Sequence, residues 1–236
     1  MPPFVKTLFA ICRVSNLPTV WMNVLTAALL ARHDPSPGAI VLLMVASSAS
    51  YAGGMALNDY FDREHDAREQ PFRPIPAGRI TEEQARRLAV GLLGAGLGLL
   101  AFAPDPTALL PGLVLLAAIY TYDRWHKQFA GSVFLMASTR TLVFVVTSWA
   151  ITGTVPALVL VAGGASFLWT LSVTVVARGE GRRGRPYGFP VIPWMIAAMS
   201  LLDGFLLAIF VEPGWLFVGL GMMAATRFGQ RYVRGD

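Results

Sequence analysis

The sequence predicts an all-α integral membrane protein, a bundle of about eight transmembrane helices, and two observations lead to that fold class. The first is composition: 55% of the 236 residues are apolar and 14% are charged, whereas ordinary soluble domains carry about 25% charged residues. The second is that the apolar residues form long uncharged stretches, close to the roughly 20 residues that a membrane-crossing helix needs. A soluble fold of this size has no room to bury so much apolar surface, so the bilayer is the natural solvent.

Eight stretches fit a membrane span, and prolines, glycines or charged residues separate them. The last stretch is the weakest candidate because it is short, and counts of seven or nine stay open. The stretches are Val14 to Ala31, Pro35 to Asn58, Leu88 to Pro104, Pro106 to Tyr122, Gly131 to Ile151, Pro156 to Ala177, Phe189 to Phe210, and Trp215 to Thr226. Together they predict a single transmembrane domain over residues 1–236.

This helix count places nearly all the basic residues on one side of the membrane. With eight spans, both termini and the loops after even-numbered spans share one side, and that side holds all 19 basic residues except Arg32 and Arg140. Basic loops stay in the cytoplasm, so we expect a bacterial-type inner (cell) membrane protein with both termini cytoplasmic. The two long polar loops, Asp59 to Glu83 and Arg178 to Gly188, lie on the same side. Their positions suggest a four-plus-four helix repeat.

An acidic cluster follows the second span. Asn58, Asp62 and Asp66 are spaced by four residues and therefore lie on one face of a helix. Stacked like charges repel each other and are costly near a membrane, so a cation should lie on that face. Mg²⁺ prefers oxygen ligands and often joins one or two carboxylates to a substrate phosphate. The alternative is a solvated helix end whose acids pair with nearby arginines.

Arginines in the same loop are candidate diphosphate ligands. Arg68, Arg73 and Arg79 each offer a planar fork of N–H donors, which suits phosphate oxygens. Two prolines stiffen the segment that begins at Arg73, and Thr81 then resembles the N-cap of the third spanning helix. The loop is therefore predicted to hold phosphate between two membrane helices.

These motifs carry a family resemblance. Asn-Asp-x-x-Asp-x-x-x-Asp from Asn58, followed by Arg-Pro-Ile-Pro-x-Gly-Arg-Ile, resembles the first signature of the UbiA superfamily of intramembrane prenyltransferases. The resemblance implies a helical bundle with a lipid-accessible cavity, in which Mg²⁺ and basic residues hold an isoprenoid diphosphate. It implies Asn58, Asp59, Asp62 and Asp66 as metal ligands, with Asn58, Asp62 and Asp66 as catalytic residues. The allylic carbon–oxygen bond would ionise, and an unknown acceptor would capture the carbocation.

The second polar loop departs from the family. UbiA enzymes usually have another aspartate-rich motif after the sixth span, but this chain has Val175, Arg178 and Arg182 at the matching positions. Arg178 and Arg182 either supply positive charge to the diphosphate in place of a second metal, or they fix topology and contact anionic membrane lipids. Both interpretations stay open.

The end of the fourth span departs as well. The family often has a tyrosine followed four residues later by a lysine, whereas here Tyr122 is followed by His126 and then Lys127. Lys127 remains a candidate diphosphate ligand. Together with the second loop and Arg140, this segment resembles the EboC-like branch of the superfamily.

Three residues are candidates for the interior of the pocket. Tyr51 and Tyr122 could shield a carbocation with their ring faces, although aromatic residues in spans more often pack or anchor at the interface. Arg140 predicts a polar cavity, because a charge inside a span is costly unless it faces water or a partner. Asp203 in the seventh span is a candidate partner, and a helix-end position for either residue is the alternative.

Two functions remain open at this point. The favoured one is a Mg²⁺-dependent prenyltransferase that acts on an isoprenoid diphosphate within membrane lipids. The alternative is a non-catalytic membrane protein of the same fold that binds or handles an isoprenoid phosphate or metabolite, which the missing second acidic motif suggests. Nucleic acid is not an expected partner, because the basic excess is explained by topology. Oligomeric state, prenyl chain length and the choice between transfer and terpene cyclisation are not predicted.

Overall fold

The computed structural model describes residues 3–32, 34–128, 131–183 and 187–235, with the side chains of Pro3 and Arg182 outside the description. Within these ranges the chain forms α-helices joined by short turns and 3₁₀ segments, without strands. The α-helices are α1 Pro3–Ile11, α2 Leu17–Ala31, α3 Pro37–Glu69, α4 Glu82–Leu99, α5 Leu109–Trp125, α6 Ser132–Thr152, α7 Ala157–Arg183, α8 Val191–Phe210 and α9 Trp215–Gly229. The all-α membrane fold is therefore confirmed.

Seven of these helices, α2 to α8, lie in segments long and apolar enough to cross a membrane. The eighth predicted stretch forms α9, which has 15 residues. At about 1.5 Å per residue it is roughly 22 Å long, less than the hydrocarbon core of about 30 Å. The eighth prediction is thus a helix that is shorter than a full span.

The two ends of the described chain meet at one end of the bundle. Asn16, just before α2, donates a hydrogen bond from Nδ2 to the backbone oxygen of Gly235 (2.7 Å), and Gln230 Nε2 donates to Asn16 Oδ1 (3.1 Å). Because α2 begins and α9 ends at this same end, the chain runs between the two ends of the bundle an even number of times. This agrees with the even helix count predicted from the charges.

The bundle is built around α2, which contacts α3, α6, α7, α8 and α9. Glycines allow neighbouring helices to approach closely. A Cβ on Gly53 of α3 would lie 2.8 Å from Leu93 Cγ of α4, and one on Gly204 of α8 would lie 2.7 Å from the Cα of Gly219 of α9. Small residues at helix contacts are the usual means of tight packing in membranes.

Two helices extend beyond their predicted spans, which corrects the predicted loops. The second span was predicted to end at Asn58, but α3 continues to Glu69 because no proline or glycine interrupts it before Pro71. The sixth was predicted to end at Ala177, whereas α7 continues to Arg183. The short helix α1, before the first span, was not predicted. Both acidic and arginine-rich motifs are therefore carried largely on helical extensions.

At the opposite end of the bundle, the compact turn that joins α4 to α5 packs against the end of α6. The backbone N–H of Asp105 donates to the oxygen of Ala150 (2.9 Å), and the indole of Trp149 donates to Thr107 Oγ1 (2.9 Å). The hydroxyl and backbone N–H of Thr107 both donate to Asp105, which lowers the pKa of that carboxyl. No candidate site residue lies here, so we define the other end, which carries residues 58–66, as the aspartate end.

Candidate active site

The acidic face of α3 is buried at the aspartate end. Asn58, Asp59, Asp62 and Asp66 are all less than one-tenth exposed. His65 is exposed, which agrees with its position outside the four-residue register. The predicted register therefore places the amide and the acids on one inward-facing surface of the helix, where they need partners.

Asp62 contacts the end of α5. Lys127 Nζ lies 2.7 Å from Asp62 Oδ1, and His126 Nε2 lies 3.3 Å from Asp62 Oδ2. His126 in turn stacks on the ring of Tyr122, with the ring centroids 4.9 Å apart. The helical end of α5 thus brings Lys127 to the first acidic motif, even though the lysine is one residue later than the family pattern predicts.

Asp59 is held between two arginines. Arg73 donates from Nη1 to Asp59 Oδ1 (2.8 Å), and Arg13 donates from Nη2 to the same oxygen (3.3 Å). Arg73 Nη1 is also 3.3 Å from Asp66 Oδ2. Arg13 has a left-handed backbone with φ of 44°, which is costly for a residue other than glycine. This conformation lies at the junction between α1 and α2, next to the acidic face.

Two buried carboxylate oxygens of the cluster lack a hydrogen-bond partner among the described residues. Asn58 Nδ2 donates to Asp123 Oδ1 (3.3 Å), while Asp123 Oδ2 and Asp66 Oδ2 have no such donor. Asp66 Oδ2 is within ion-pair distance of Arg73 but lacks hydrogen-bond geometry. Unsatisfied buried oxygens of this kind are costly and call for an explanation.

Of the remaining predicted phosphate ligands, Arg178 and Arg79 each make a hydrogen bond away from the carboxylates of the acidic face. Arg178 of α7 donates to Ser132 Oγ at the start of α6 (2.7 Å). Arg79 is exposed and donates to the backbone oxygen of Phe72. Arg68 is exposed and lies about 200° around the helix from Asp66, given 3.6 residues per turn. The side chain of Arg182 lies outside the described residues. The structure therefore brings Arg73 and Lys127 to the acidic face, but not Arg68.

A large cavity opens beside Asp59. It has a volume of about 820 Å³ and lies between α1, the start of α2, the loop that contains Arg73, and the end of α9. Its cationic lining residues are Lys6, Arg13, Arg73, Arg79 and Arg234, and its aromatic ones are Phe9, Trp21, Phe72, Phe228 and Tyr232. Asp59 is the one acidic residue among the described residues that line it. The cavity, called here the lateral cavity, is thus positively charged with apolar walls.

A second, smaller cavity lies inside the bundle beneath the acidic face. Its volume is about 80 Å³, and its lining includes all three predicted pocket residues, Tyr51, Tyr122 and Arg140. Arg140 donates to Asn23 Oδ1 (2.8 Å), and Asn23 Nδ2 donates to Asp203 Oδ2 (2.6 Å). Asn23 therefore bridges Arg140 to the aspartate that was the predicted partner. We call this space the inner cavity.

Comparison with known proteins places this geometry in a family. The model of the UbiA prenyltransferase family matches residues 17–233. The chain belongs to the UbiA prenyltransferase family. It is 37% identical to the digeranylgeranylglyceryl phosphate synthase of Ignicoccus hospitalis over an alignment of 116 residues. That alignment covers 49% of this chain and 37% of the relative. It is also 33% identical over 115 residues to the 4-hydroxybenzoate octaprenyltransferase of Chromohalobacter salexigens, covering 48% and 37%. The alignments thus span little more than a third of these relatives' length.

Solved structures of UbiA proteins share the fold at low identity. A structure of digeranylgeranylglyceryl phosphate synthase has a TM-score of 0.67 and 18% identity, covering 98% of this chain and 95% of that one. A UbiA homologue from Archaeoglobus fulgidus bound to DMAPP and Mg²⁺ has a TM-score of 0.62 and 17% identity, covering 94% and 85%. These likenesses confirm the UbiA-type helical architecture that the sequence predicted.

Three residues that contact the acidic face were absent from the site predicted from the UbiA motifs. Arg13, His126 and Asp123 now contact Asp59, Asp62 and Asn58 respectively. Asp123 had a detectable signal, because it is an acid at the end of a predicted span, where a buried charge is costly without a partner. Arg13 and His126 had none beyond family resemblance, since their partners are distant in sequence.

Proposed function

We propose that this UbiA protein transfers a prenyl group from an allylic diphosphate to an acceptor at the aspartate end. The observation that carries the proposal is the buried surface of Asp59, Asp62 and Asp66, with Arg73 and Lys127 in direct contact. Carboxylates suit a divalent cation, and the two basic groups suit the oxygens of a diphosphate. A purely structural helix end gives no reason to bury so many charges together.

The acidic surface fits Mg²⁺ in its chemistry. Its donors are carboxylate and amide oxygens, and Asp66 Oδ2 is buried without a hydrogen-bond donor. The described residues contain no group of three His, Cys, Asp or Glu that could hold a metal alone. That is consistent with Mg²⁺, which usually binds one or two carboxylates together with substrate phosphates. Asp62 and Asp66 would hold it, with Asn58 and Asp59 beside them, and the bound ion would neutralise charge on the diphosphate.

The basic residues would stabilise the leaving group. The allylic carbon–oxygen bond breaks with both electrons passing to the diphosphate, so negative charge grows on its oxygens. Arg73 and Lys127 would donate to those oxygens. Arg178 of α7, which donates to Ser132 Oγ at the start of α6, would assist them. Tyr122, above the inner cavity, would present its ring toward the allylic cation.

The lateral cavity is the proposed acceptor side. Its basic residues favour an anionic group, its aromatic walls favour an apolar body, and its inner wall includes Asp59 and Arg73 of the acidic cluster. The names of two relatives, a digeranylgeranylglyceryl phosphate synthase and a 4-hydroxybenzoate octaprenyltransferase, are compatible with an acceptor of this kind. Competition between charged and neutral acceptors in a transfer assay tests this assignment, and equal use of both would contradict it.

Release of pyrophosphate is the direct test of the reaction. Purified protein in detergent is given allylic diphosphates of several lengths with and without Mg²⁺. We expect release that requires Mg²⁺ and is lost in Asp62→Ala. Glu64→Ala is the matched control, because Glu64 is an acid of the same helix whose side chain is 84% exposed. Undiminished release by Asp62→Ala would reject the proposed mechanism.

One observation supports a second function, a non-catalytic UbiA-like protein that binds an isoprenoid phosphate. The acids of the usual second motif are replaced by Val175, Arg178 and Arg182, and the acids that remain already contact basic side chains. This alternative requires binding of an allylic diphosphate without pyrophosphate release, even when a panel of acceptors is supplied. Reproducible turnover of one donor would exclude it.

We also propose that the aspartate end faces the cytoplasm of a bacterial-type cell membrane. The proposal is based on the basic residues, which are concentrated on the predicted cytoplasmic side, all but Arg32 and Arg140. A fluorescent protein fused after the last residue should fold and fluoresce, because it folds in the cytoplasm. An active alkaline phosphatase fused at the same position would place this end outside and contradict the proposal.

A further inference from the structure

The inner cavity lies directly beneath the acidic face, between α2, α3, α5 and α6. Its upper lining includes Tyr122 and Asp123, and Asp123 accepts a hydrogen bond from Asn58. Its volume of about 80 Å³ is well below the roughly 300–1,000 Å³ of typical small-molecule sites. A ligand whose charged end lies on the acidic face can therefore extend only a short distance into the bundle.

Arg140 and Tyr51 set the depth of the upper part of this cavity, the part next to the acidic face. Arg140 follows Ser132, the first residue of α6, by a distance along the helix axis of about 12 Å, at 1.5 Å per residue. Tyr51 lies roughly 10 Å below Asn58 along α3 by the same rise. The Arg140 guanidinium is 5.9 Å from the centre of the Tyr51 ring. Together the two side chains form a cationic floor beneath this upper part, while Ser47 and Val143 line the cavity about one helical turn deeper.

The floor is fixed by contacts to two further helices. Arg140 donates to Asn23 Oδ1 (2.8 Å) and to Thr19 Oγ1 (3.3 Å), both on α2. Asn23 also donates to Asp203 of α8 (2.6 Å), and Asn23 and Asp203 are almost completely buried. Movement of Arg140 out of the cavity would break hydrogen bonds that have no water to replace them. The guanidinium is therefore a rigid obstacle.

We propose that Arg140 is a specificity-determining residue that restricts the donor to short allylic diphosphates. The inference rests on the proposed prenyl transfer and concerns the length of the transferred chain. A short prenyl group would occupy the apolar upper part of the inner cavity, between Gly54, Met55 and Ile119. A longer chain would reach the guanidinium and separate it from its polar surroundings, which is unfavourable for the charged group.

The lateral cavity offers a rival path for a long chain. It is about ten times larger, at about 820 Å³ against 80 Å³, and several aromatic side chains line it. Its cations, however, include Arg13, Arg73, Arg79 and Arg234, so an extended hydrocarbon would pass a series of charged groups. A chain in the lateral cavity would not contact Arg140, which makes the two paths distinguishable by mutation.

The test compares donors of increasing length in matched variants. KM for Mg²⁺-dependent pyrophosphate release is measured with dimethylallyl, geranyl, farnesyl and geranylgeranyl diphosphate. Equilibrium binding of the corresponding unreactive thiolodiphosphates is measured in parallel. The main variant is Arg140→Met combined with Asp203→Asn, which removes the obstacle without leaving Asp203 as an uncompensated buried charge. Arg140→Lys retains the cation, and thermal stability in detergent verifies that each variant is folded.

We expect the native protein to prefer the dimethylallyl over the geranylgeranyl donor by roughly tenfold or more in KM, and the double variant to lose most of that ratio. Arg140→Lys should keep the preference, which a merely structural role for Arg140 does not predict. An unchanged ratio in the double variant, or equal use of all donors by the native protein, would overturn the proposal. Absence of turnover with every donor would instead reject prenyl transfer, and the analogue-binding series alone would then decide on chain length.

Discussion

Replacing Asp59 by asparagine separates two roles that its carboxylate could have. The family resemblance implies a metal ligand, whereas in the structure Asp59 Oδ1 accepts hydrogen bonds from both Arg73 (2.8 Å) and Arg13 (3.3 Å). Asparagine has nearly the same shape and keeps an accepting oxygen, but it lacks the negative charge. If Asp59 positions the two arginines, the variant should bind the diphosphate donor more weakly while its Mg²⁺ requirement stays the same.

The size of the effect follows from the hydrogen bonds. A hydrogen bond to a charged group contributes about 1.5–3 kcal/mol, and a neutral one about 0.5–1.5 kcal/mol. Loss of the charge at two hydrogen bonds, one of them long, should therefore weaken the binding free energy of the donor by about 2 kcal/mol. This corresponds to a roughly 30-fold higher KM for the donor. A buried charge cluster that loses one member can cost more, so this figure is a lower estimate.

The assay is pyrophosphate release over a matrix of donor and Mg²⁺ concentrations. Glu64→Gln is the control, since it makes the same chemical change at an exposed position of the same helix and should leave both constants near native values. The reasoning is refuted if Asp59→Asn raises the half-saturating Mg²⁺ concentration about tenfold with little change in the KM for the donor. That result would make Asp59 a metal ligand in function.

Two further predictions concern helix packing and the burial of a cysteine. Gly219→Ala should destabilise the protein by about 1–3 kcal/mol, because its Cβ would lie 2.8 Å from both the Cα of Gly204 and the oxygen of Ser200. A Cβ on Gly221 of the same helix has nothing within 4 Å, so Gly221→Ala should leave the stability unchanged. Thermal unfolding in detergent measures both variants, and an equal loss of stability in the two would contradict this packing. Burial, followed by the charge of Asp59, raises the pKa of the Cys12 thiol to about 11. Its reactive thiolate is therefore scarce until the pH approaches that value, so maleimide labelling at neutral pH should be slow in the folded protein and fast after unfolding, and rapid labelling of folded protein would show an accessible thiol.

The acidic face could be predicted from the sequence because it depends on helical periodicity alone. The four-residue spacing of Asn58, Asp62 and Asp66 places them together on any helix, and the structure confirms their common burial. The same rule places Arg68 about 200° around the helix from Asp66, so the exposure of Arg68 also follows from periodicity. The length of α3 was underestimated, because the polarity of residues 59–69 indicates where the bilayer ends, while helix-breaking residues indicate where the helix ends.

The partners in the site could not be predicted for a different reason. Arg13 and Asp59 are 46 residues apart, and Arg140 and Asn23 are 117 apart, so their contacts depend on which helices are neighbours. Hydropathy gives the number of helices but not their arrangement. Opposite charge made Asp203 the predicted partner of Arg140, whereas the direct partner of Arg140 is the neutral Asn23, which in turn donates to Asp203.

We propose that the charge balance of the site allows this family member to lack the second acidic motif. Asp59 and Asp66 already contact Arg73, and Asp62 contacts Lys127, so the first motif is close to neutral before a ligand binds. A second set of carboxylates would need further cations to hold a diphosphate, and a second metal ion would supply them. Arg178 of α7 would supply part of that positive charge from the chain itself, and it donates a hydrogen bond to Ser132 Oγ (2.7 Å). In this proposal the arginine removes the acids and the need to neutralise them in the same step.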